Sequence, residues 1–184
     1  MSTEKTAALF AGVIAPSGEL DLAEAAGSAL ARAGYRLRHG GYNGLMEAAA
    51  RGAARECGQV TAVTLAGRED WGALNEYVTQ TVYAPTMGER LHAYLDDADL
   101  VVAMGGGVGS LHELTAAFYY ATTIRAVPVR LLGPTAARLG QFLREQRWLV
   151  ETPTRSLAFL HTLADVQELA DDLAALDGTP GQLS

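Results

Sequence analysis

Apolar positions in this chain fall mainly into short continuous runs. Residues 7–14, 59–66, 99–104 and 126–132 are such runs, each of strand length. A segment apolar on both faces suits a strand in the middle of a parallel sheet, covered by helices on each side. Between the runs lie alanine- and leucine-rich stretches of helical length. They are 20–33, closed by Gly34 as a C-cap, then 45–56, 86–97, 111–123, 134–147 and the amphipathic 164–176. Thr86 and Glu89 have capping-box spacing at the start of one helix, and Ser110 is expected to open another. Residues 35–39 and 81–84 add short strands, and 155–160 reads as a last strand or a helix start. Residues 67–79, with Trp71 and Tyr77, show no regular period, and residues 1–6 and 177–184 are expected to fray.

Strand and helix patterns alternate about five or six times. That order predicts an α/β fold, a Rossmann-like doubly wound parallel sheet, as a single domain over residues 1–184. In such a sheet ligands bind beyond the carboxyl ends of the strands. No internal repeat or low-complexity linker interrupts the chain.

Composition narrows the function classes. A length of 184 residues suits one well-buried domain, and a net charge of −7 argues against a protein that grips nucleic acid by charge. Cys57 stands alone and the four histidines form no ligand cluster, so neither a disulfide, a metal nor a cofactor is expected. The N-terminus lacks a basic leader, and the apolar stretch 7–15 is far too short to span a bilayer. A cytoplasmic protein with no membrane partner is expected.

The candidate chemistry sits in two glycine-rich segments, Gly40-Gly41-Tyr42-Asn43-Gly44 and Gly105-Gly106-Gly107-Val108-Gly109-Ser110. Each follows a predicted strand and leads into a helix. Without Cβ atoms, backbone N–H groups approach an anion closely, and the helix start adds unpaired donors and a positive dipole end. Either loop alone is also explained by tight turning and close packing; two in one small chain favour a phosphate-bearing ligand. Ser110 stands where the dinucleotide fingerprint has its third glycine, no acidic residue closes the next strand, and no Walker-type lysine is present. These absences argue against NAD binding and ATP cleavage. Glu113, three residues beyond Ser110, is either a favourable helix-start carboxylate or a group aimed at the ligand. Arg90 precedes the strand that feeds the loop, and can reach the same crevice or pair on the surface with Glu89 or Asp97. Trp71, Tyr77 and Tyr83 could stack on a base, although packing is the commoner role. For His39 and His112 solvation or packing is the plainer reading, and Tyr119 and Tyr120 face either the core or a subunit partner.

These motifs resemble the LONELY GUY (LOG) family of cytokinin riboside 5′-monophosphate phosphoribohydrolases, also called the possible lysine decarboxylase family. The chain also looks like bacterial relatives in a Rossmann-like superfamily that includes molybdenum-cofactor carrier proteins. The family loop P-G-G-x-G-T-x-x-E is matched by Gly105 to Glu113, its M-H-E-R-K stretch by Met87-Gly88-Glu89-Arg90-Leu91, and its G-G-G-x-x-G-L-M segment by His39 to Met46. The resemblance covers roughly residues 7–150. This chain departs from the pattern at Gly105, Ser110, Leu91 and His112, where the family has proline, threonine, lysine and glutamate.

The resemblance implies Arg90 and Glu113 as a catalytic pair and Gly106 to Ser110 as a phosphate loop. Gly105, Gly40, Gly41, Asn43, Met87 and Ser17 join the candidate substrate contacts. The implied reaction is hydrolysis of the N-glycosidic bond of a nucleoside 5′-monophosphate, giving free base and ribose 5-phosphate. The alternative is a non-catalytic nucleotide- or molybdenum-cofactor-binding carrier that uses the same loops. A homodimer is implied by the resemblance as well.

Overall fold

The computed structural model describes residues 5–16 and 18–178. The elements in chain order are β1 (Lys5–Phe10), α1 (Glu19–Arg32), β2 (Tyr35–His39), α2 (Leu45–Arg55), β3 (Val60–Leu65), β4 (Gln80–Ala84) and α3 (Met87–Leu95). They continue as β5 (Leu100–Ala103), α4 (Val108–Thr123), β6 (Val129–Leu132), α5 (Pro134–Glu145), β7 (Leu160–Leu163) and α6 (Val166–Asp177). The seven strands form one sheet in the order β4-β3-β2-β1-β5-β6-β7, and every neighbouring pair is parallel. This is the expected Rossmann-like α/β fold. Strand order reverses between β1 and β5, so the loops leaving those two strands diverge there and open a crevice.

The strand pleat divides the core in two. Ala7, Leu9, Leu100 and Val102 face one side and pack with α1, α2 and α6. Ala8, Phe10, Val101 and Ala103 face the other and pack with α3, α4 and α5. This period of two explains why β5 and residues 7–10 of β1 are apolar at every position. On the first side α1 and α2 meet with almost nothing between their backbones. A Cβ on Gly27 would lie 1.9 Å from the Ala49 carbonyl oxygen, and one on Gly52 would lie 1.9 Å from that of Glu24.

Several boundaries differ from the sequence pattern, each for a local reason. β1 begins at Lys5, within the stretch expected to fray, because Thr6 N–H donates to the Asp99 carboxylate at 2.8 Å. It ends at Phe10 because the chain then turns out of the ladder, and Gly12 N–H donates instead to the Gly105 carbonyl at 2.9 Å. Val13 and Ile14 are apolar but exposed, and Val13 lines the crevice. α4 starts at Val108, two residues ahead of Ser110, since Leu111 N–H already closes a helical turn on Gly107. The last strand is Leu160–Leu163, not 155–160, where an isolated bridge joins Thr152 and Arg155. α6 runs through Asp177, whose carboxylate pairs with Lys5 at 2.6 Å. No helix among the described residues is long and apolar enough to cross a membrane.

Candidate functional site

The crevice is built on the two loops that separate at the strand-order reversal. They are packed too closely for side chains: a Cβ on Gly12 would lie 2.5 Å from the Gly106 Cα. Beyond them the backbone from Gly106 to Gly109 is exposed and leads into α4, whose start has no side-chain cap. The amides of Val108, Gly109 and Ser110 therefore lack helical partners. At α3 and α6 the starts carry side-chain caps, Thr86 and Asp165, whereas α1 and α2 have none and a backbone carbonyl, of Pro16 or Gly12, takes only the first amide. At α5 the Thr135 N–H donates to Glu19 Oε1 at 3.0 Å, so a buried carboxylate from α1 fills that helix start. Glu19 also accounts for Gly105, because a Cβ there would lie 2.4 Å from Glu19 Oε2. A residue with a Cβ here, such as the family's proline, would require the Glu19 carboxylate to move away.

Arg90 and Glu113 meet beside the open helix start. Arg90 lies in the first turns of α3, set by the Thr86 cap, which accepts from Glu89 N–H and donates to the Glu89 carboxylate at 2.7 Å. Glu113 lies in the second turn of α4 rather than the first, a consequence of the early start of that helix. Arg90 Nη1 donates to Glu113 Oε1 at 2.8 Å, Nη2 to the Tyr94 hydroxyl at 2.8 Å and Nε to the Val63 carbonyl at 3.0 Å. The Tyr94 hydroxyl donates to the same carbonyl at 3.0 Å, which fixes the plane of the guanidinium. Both charged side chains are buried. Burial pushes the Glu113 carboxyl above its usual range, and the Arg90 charge and hydrogen bond only partly oppose that. A buried pair of this kind contributes little to stability for its desolvation cost. A carboxyl held in a cleft with a raised pKa beside a fixed cation is a candidate for chemistry.

One cavity of about 280 Å³ gathers Arg90, Glu113, Gly107, Gly109, Ser110 and Met87, together with Ala11, Gly12, Val13, Tyr42, Met46 and Trp71. Gly106 lines a neighbouring, more apolar cavity that shares Gly107 and Ser110 and runs between α4 and α5. Gly105 lies beneath the loop, its carbonyl taken by Gly12. Gly40 flanks the pair, with Arg90 Nη2 at 3.3 Å from the position of a Cβ. Gly41 is turned inward at φ 84°. Its N–H donates to His39 Nδ1 at 2.8 Å, and its carbonyl accepts from Asn75. Asn43 is exposed on the same loop, and Ser17 lies outside the described residues. His39 is fully buried, whereas His112 is exposed to solvent. Asp97, the alternative partner for Arg90, pairs with Arg38 instead. Tyr94, one helical turn after Arg90, carries no motif signal. Tyr42 and Met46 lie inside the quoted glycine segment and are found there only once the loop is folded. Among the described residues, no group of three or more His, Cys, Asp or Glu could hold a metal ion.

A parallel sheet with a glycine loop and a charged pair at its strand-order reversal defines a Rossmann-like α/β protein with one candidate crevice at the switch point. The chain belongs to the SLOG cluster4 family, whose model matches residues 9–155. It is similar in fold to the solved structure of TM1055, a structural-genomics target, with 24% identity over 93% of this chain and 99% of that one and a TM-score of 0.70. It is likewise similar to the molybdenum cofactor binding protein of Rippkaea orientalis (19% identity, 96% and 99% covered, TM-score 0.75). The molybdenum cofactor carrier protein of Chlamydomonas reinhardtii matches to the same degree (19% identity, 96% and 100% covered, TM-score 0.74). No curated protein matches the chain.

Proposed function

We propose that the crevice hydrolyses the N-glycosidic bond of a nucleoside 5′-monophosphate, releasing base and ribose 5-phosphate in the cytoplasm. The observation that carries this reading is a buried, partnered carboxylate next to a helix start left open for an anion. The exposed amides at Val108 and Gly109, with the Ser110 hydroxyl, would hold the phosphate, and that remote binding energy would place the sugar. Positive charge develops on the ribose ring as the bond to the base breaks. Among the described residues Glu113 accepts one hydrogen bond, from Arg90 on Oε1, and Oε2 would then face that charge and orient or deprotonate the attacking water. Arg90 acts mainly through Glu113, since three of its five N–H groups are already given to protein acceptors. Incubation with a panel of nucleoside monophosphates, followed by chromatography for free base, tests the proposal. Glu113→Gln is expected to lower base release by about 10²–10⁴-fold while ligand binding persists.

A second reading is supported by the likeness to proteins named as molybdenum cofactor binders and carriers. The same loop would then hold the phosphate of a cofactor without turnover. Absence of base release from every nucleotide, with retained anion binding, selects this reading over the first. In either role we expect a homodimer. α4 carries apolar side chains on its outer face, with Val108 84% and Tyr119 64% exposed, and a second subunit would cover them. Light scattering on the purified protein gives the mass directly.

A further inference from the structure

The lining of the cavity is of two kinds: Arg90, Glu113 and the start of α4 supply charge and open amides, and Val13, Met46, Met87, Tyr42 and Trp71 supply apolar surface. A ligand whose phosphate lies on the α4 amides and whose sugar lies at Glu113 leaves its third part to meet this apolar lining. We infer that Trp71, braced by Tyr42, is the platform on which the base stacks, and that the base is recognised by its flat face rather than by its hydrogen-bonding edge. This inference rests on the nucleotide reading above.

Three observations support it. First, Trp71 is 38% exposed, yet its ring is held in place. Tyr42 meets it edge to face, with centroids 6.0 Å apart at 68°, and the Arg68 guanidinium lies 4.8 Å from the ring centroid. Second, the segment that carries Trp71 is anchored to the glycine loop. Asn75 Nδ2 donates to the carbonyls of Gly41 at 2.9 Å and Tyr42 at 3.0 Å, and Asn75 N–H donates to the Gly41 carbonyl at 2.8 Å. Its irregular sequence therefore folds into a fixed wall. Third, the side chains with polar atoms that line this cavity are Arg90, Glu113, Ser110, Tyr42 and Trp71 itself. The first three are assigned to the phosphate and sugar, the Tyr42 hydroxyl is already bonded to Thr64, and the Trp71 Nε1–H lies in the plane of the ring, away from a base stacked on its face. Among the described residues, no amide side chain lines the cavity to read a base edge. A site without such partners discriminates weakly among bases of one size, and stacking favours the larger rings.

The test uses the full chain carrying Trp148→Phe, so that Trp71 is the only indole. AMP is expected to quench the remaining fluorescence, whereas ribose 5-phosphate, followed by calorimetry, binds without quenching. Adding Trp71→Ala should weaken AMP binding by about 10- to 100-fold and leave ribose 5-phosphate affinity unchanged. AMP and GMP should bind within about tenfold of each other, as expected where no amide side chain reads the base. Unchanged AMP affinity in the Trp71→Ala protein overturns the platform while the phosphate site stands. Equal losses for AMP and ribose 5-phosphate show a structural role for Trp71 and also overturn it. If neither compound binds the parent protein, the nucleotide reading falls, and the platform with it.

Discussion

The His39 imidazole makes the folded protein acid-sensitive in a calculable way. His39 ends β2 with no exposed surface; its Nδ1 accepts from Gly41 N–H, and its Nε2 has no partner among the described residues. Burial pulls its pKa from 6.5 down to about 4. Above pH 6.5 the ring is neutral in both the folded and unfolded chain and pH has no effect through it. Below 6.5 the unfolded chain takes up a proton that the folded chain refuses until about pH 4. Stability is thus fully present above 6.5 and is lost as pH falls through this window. Every pH unit crossed inside the window costs about 1.4 kcal/mol, so the loss reaches about 2 kcal/mol at pH 5 and about 3 kcal/mol near pH 4. Protonation also turns Nδ1 into a donor facing the Gly41 N–H, in the loop that carries Tyr42. Urea unfolding of the parent and of His39→Asn between pH 7 and pH 4.5 isolates this group, because every other titration is shared and cancels in the difference. With a urea slope of about 2 kcal/mol/M, the parent midpoint should fall about 1 M further than that of the variant by pH 5. A difference that stays constant from pH 7 to pH 4.5 would refute the reasoning.

Two further outcomes follow from the geometry. Arg90→Met leaves Glu113 buried without its cation, so the carboxyl rises further above its usual range. The acid limb of any base-release profile should then move to higher pH, and stability above that limb should fall by about 3–5 kcal/mol, read by denaturant titration. Gly27→Ala places a methyl group against the Ala49 carbonyl and should destabilise the fold by at least about 1–3 kcal/mol. Thermal unfolding would report this as a clear drop in midpoint, and an unchanged midpoint would mean that α1 and α2 are not in backbone contact.

The fold is legible in the sequence because its central strands are buried on both faces. Residues 99–104 fit only a covered sheet, and the glycine loop after them marks the crevice. Boundaries depart from the pattern where apolar residues serve something other than the core. Val13 and Ile14 extend the first apolar run but are exposed, Val13 at the crevice, so the run is longer than the strand. The last strand pairs only through β6 and has the burial pattern of an edge, buried at Leu160 and Leu163 and exposed between, too short for a period to show. Within the site, the glycine loop, Arg90 and Glu113 stand out through spacing that a linear reading detects. Tyr94, Glu19 and the bracing of Trp71 do not, since they arise from contacts across the chain. Glu19 reaches Thr135, 116 residues away. Gly105 looks like part of a phosphate cradle in sequence, and in space it also makes room for that carboxylate.

The contact between α1 and α2 also determines how the crevice can work. With carbonyls of one helix against the bare Cα atoms of the other, there is no cushion of side chains to slide or tilt. That half of the molecule, with the Gly12 and Gly40 turns seated on it, is the fixed jaw of a vise. α3 and α4 meet instead through side chains, Arg90 on Glu113 among them. Hydrogen exchange is therefore expected to be slower in the amides of α1 than in those of α3.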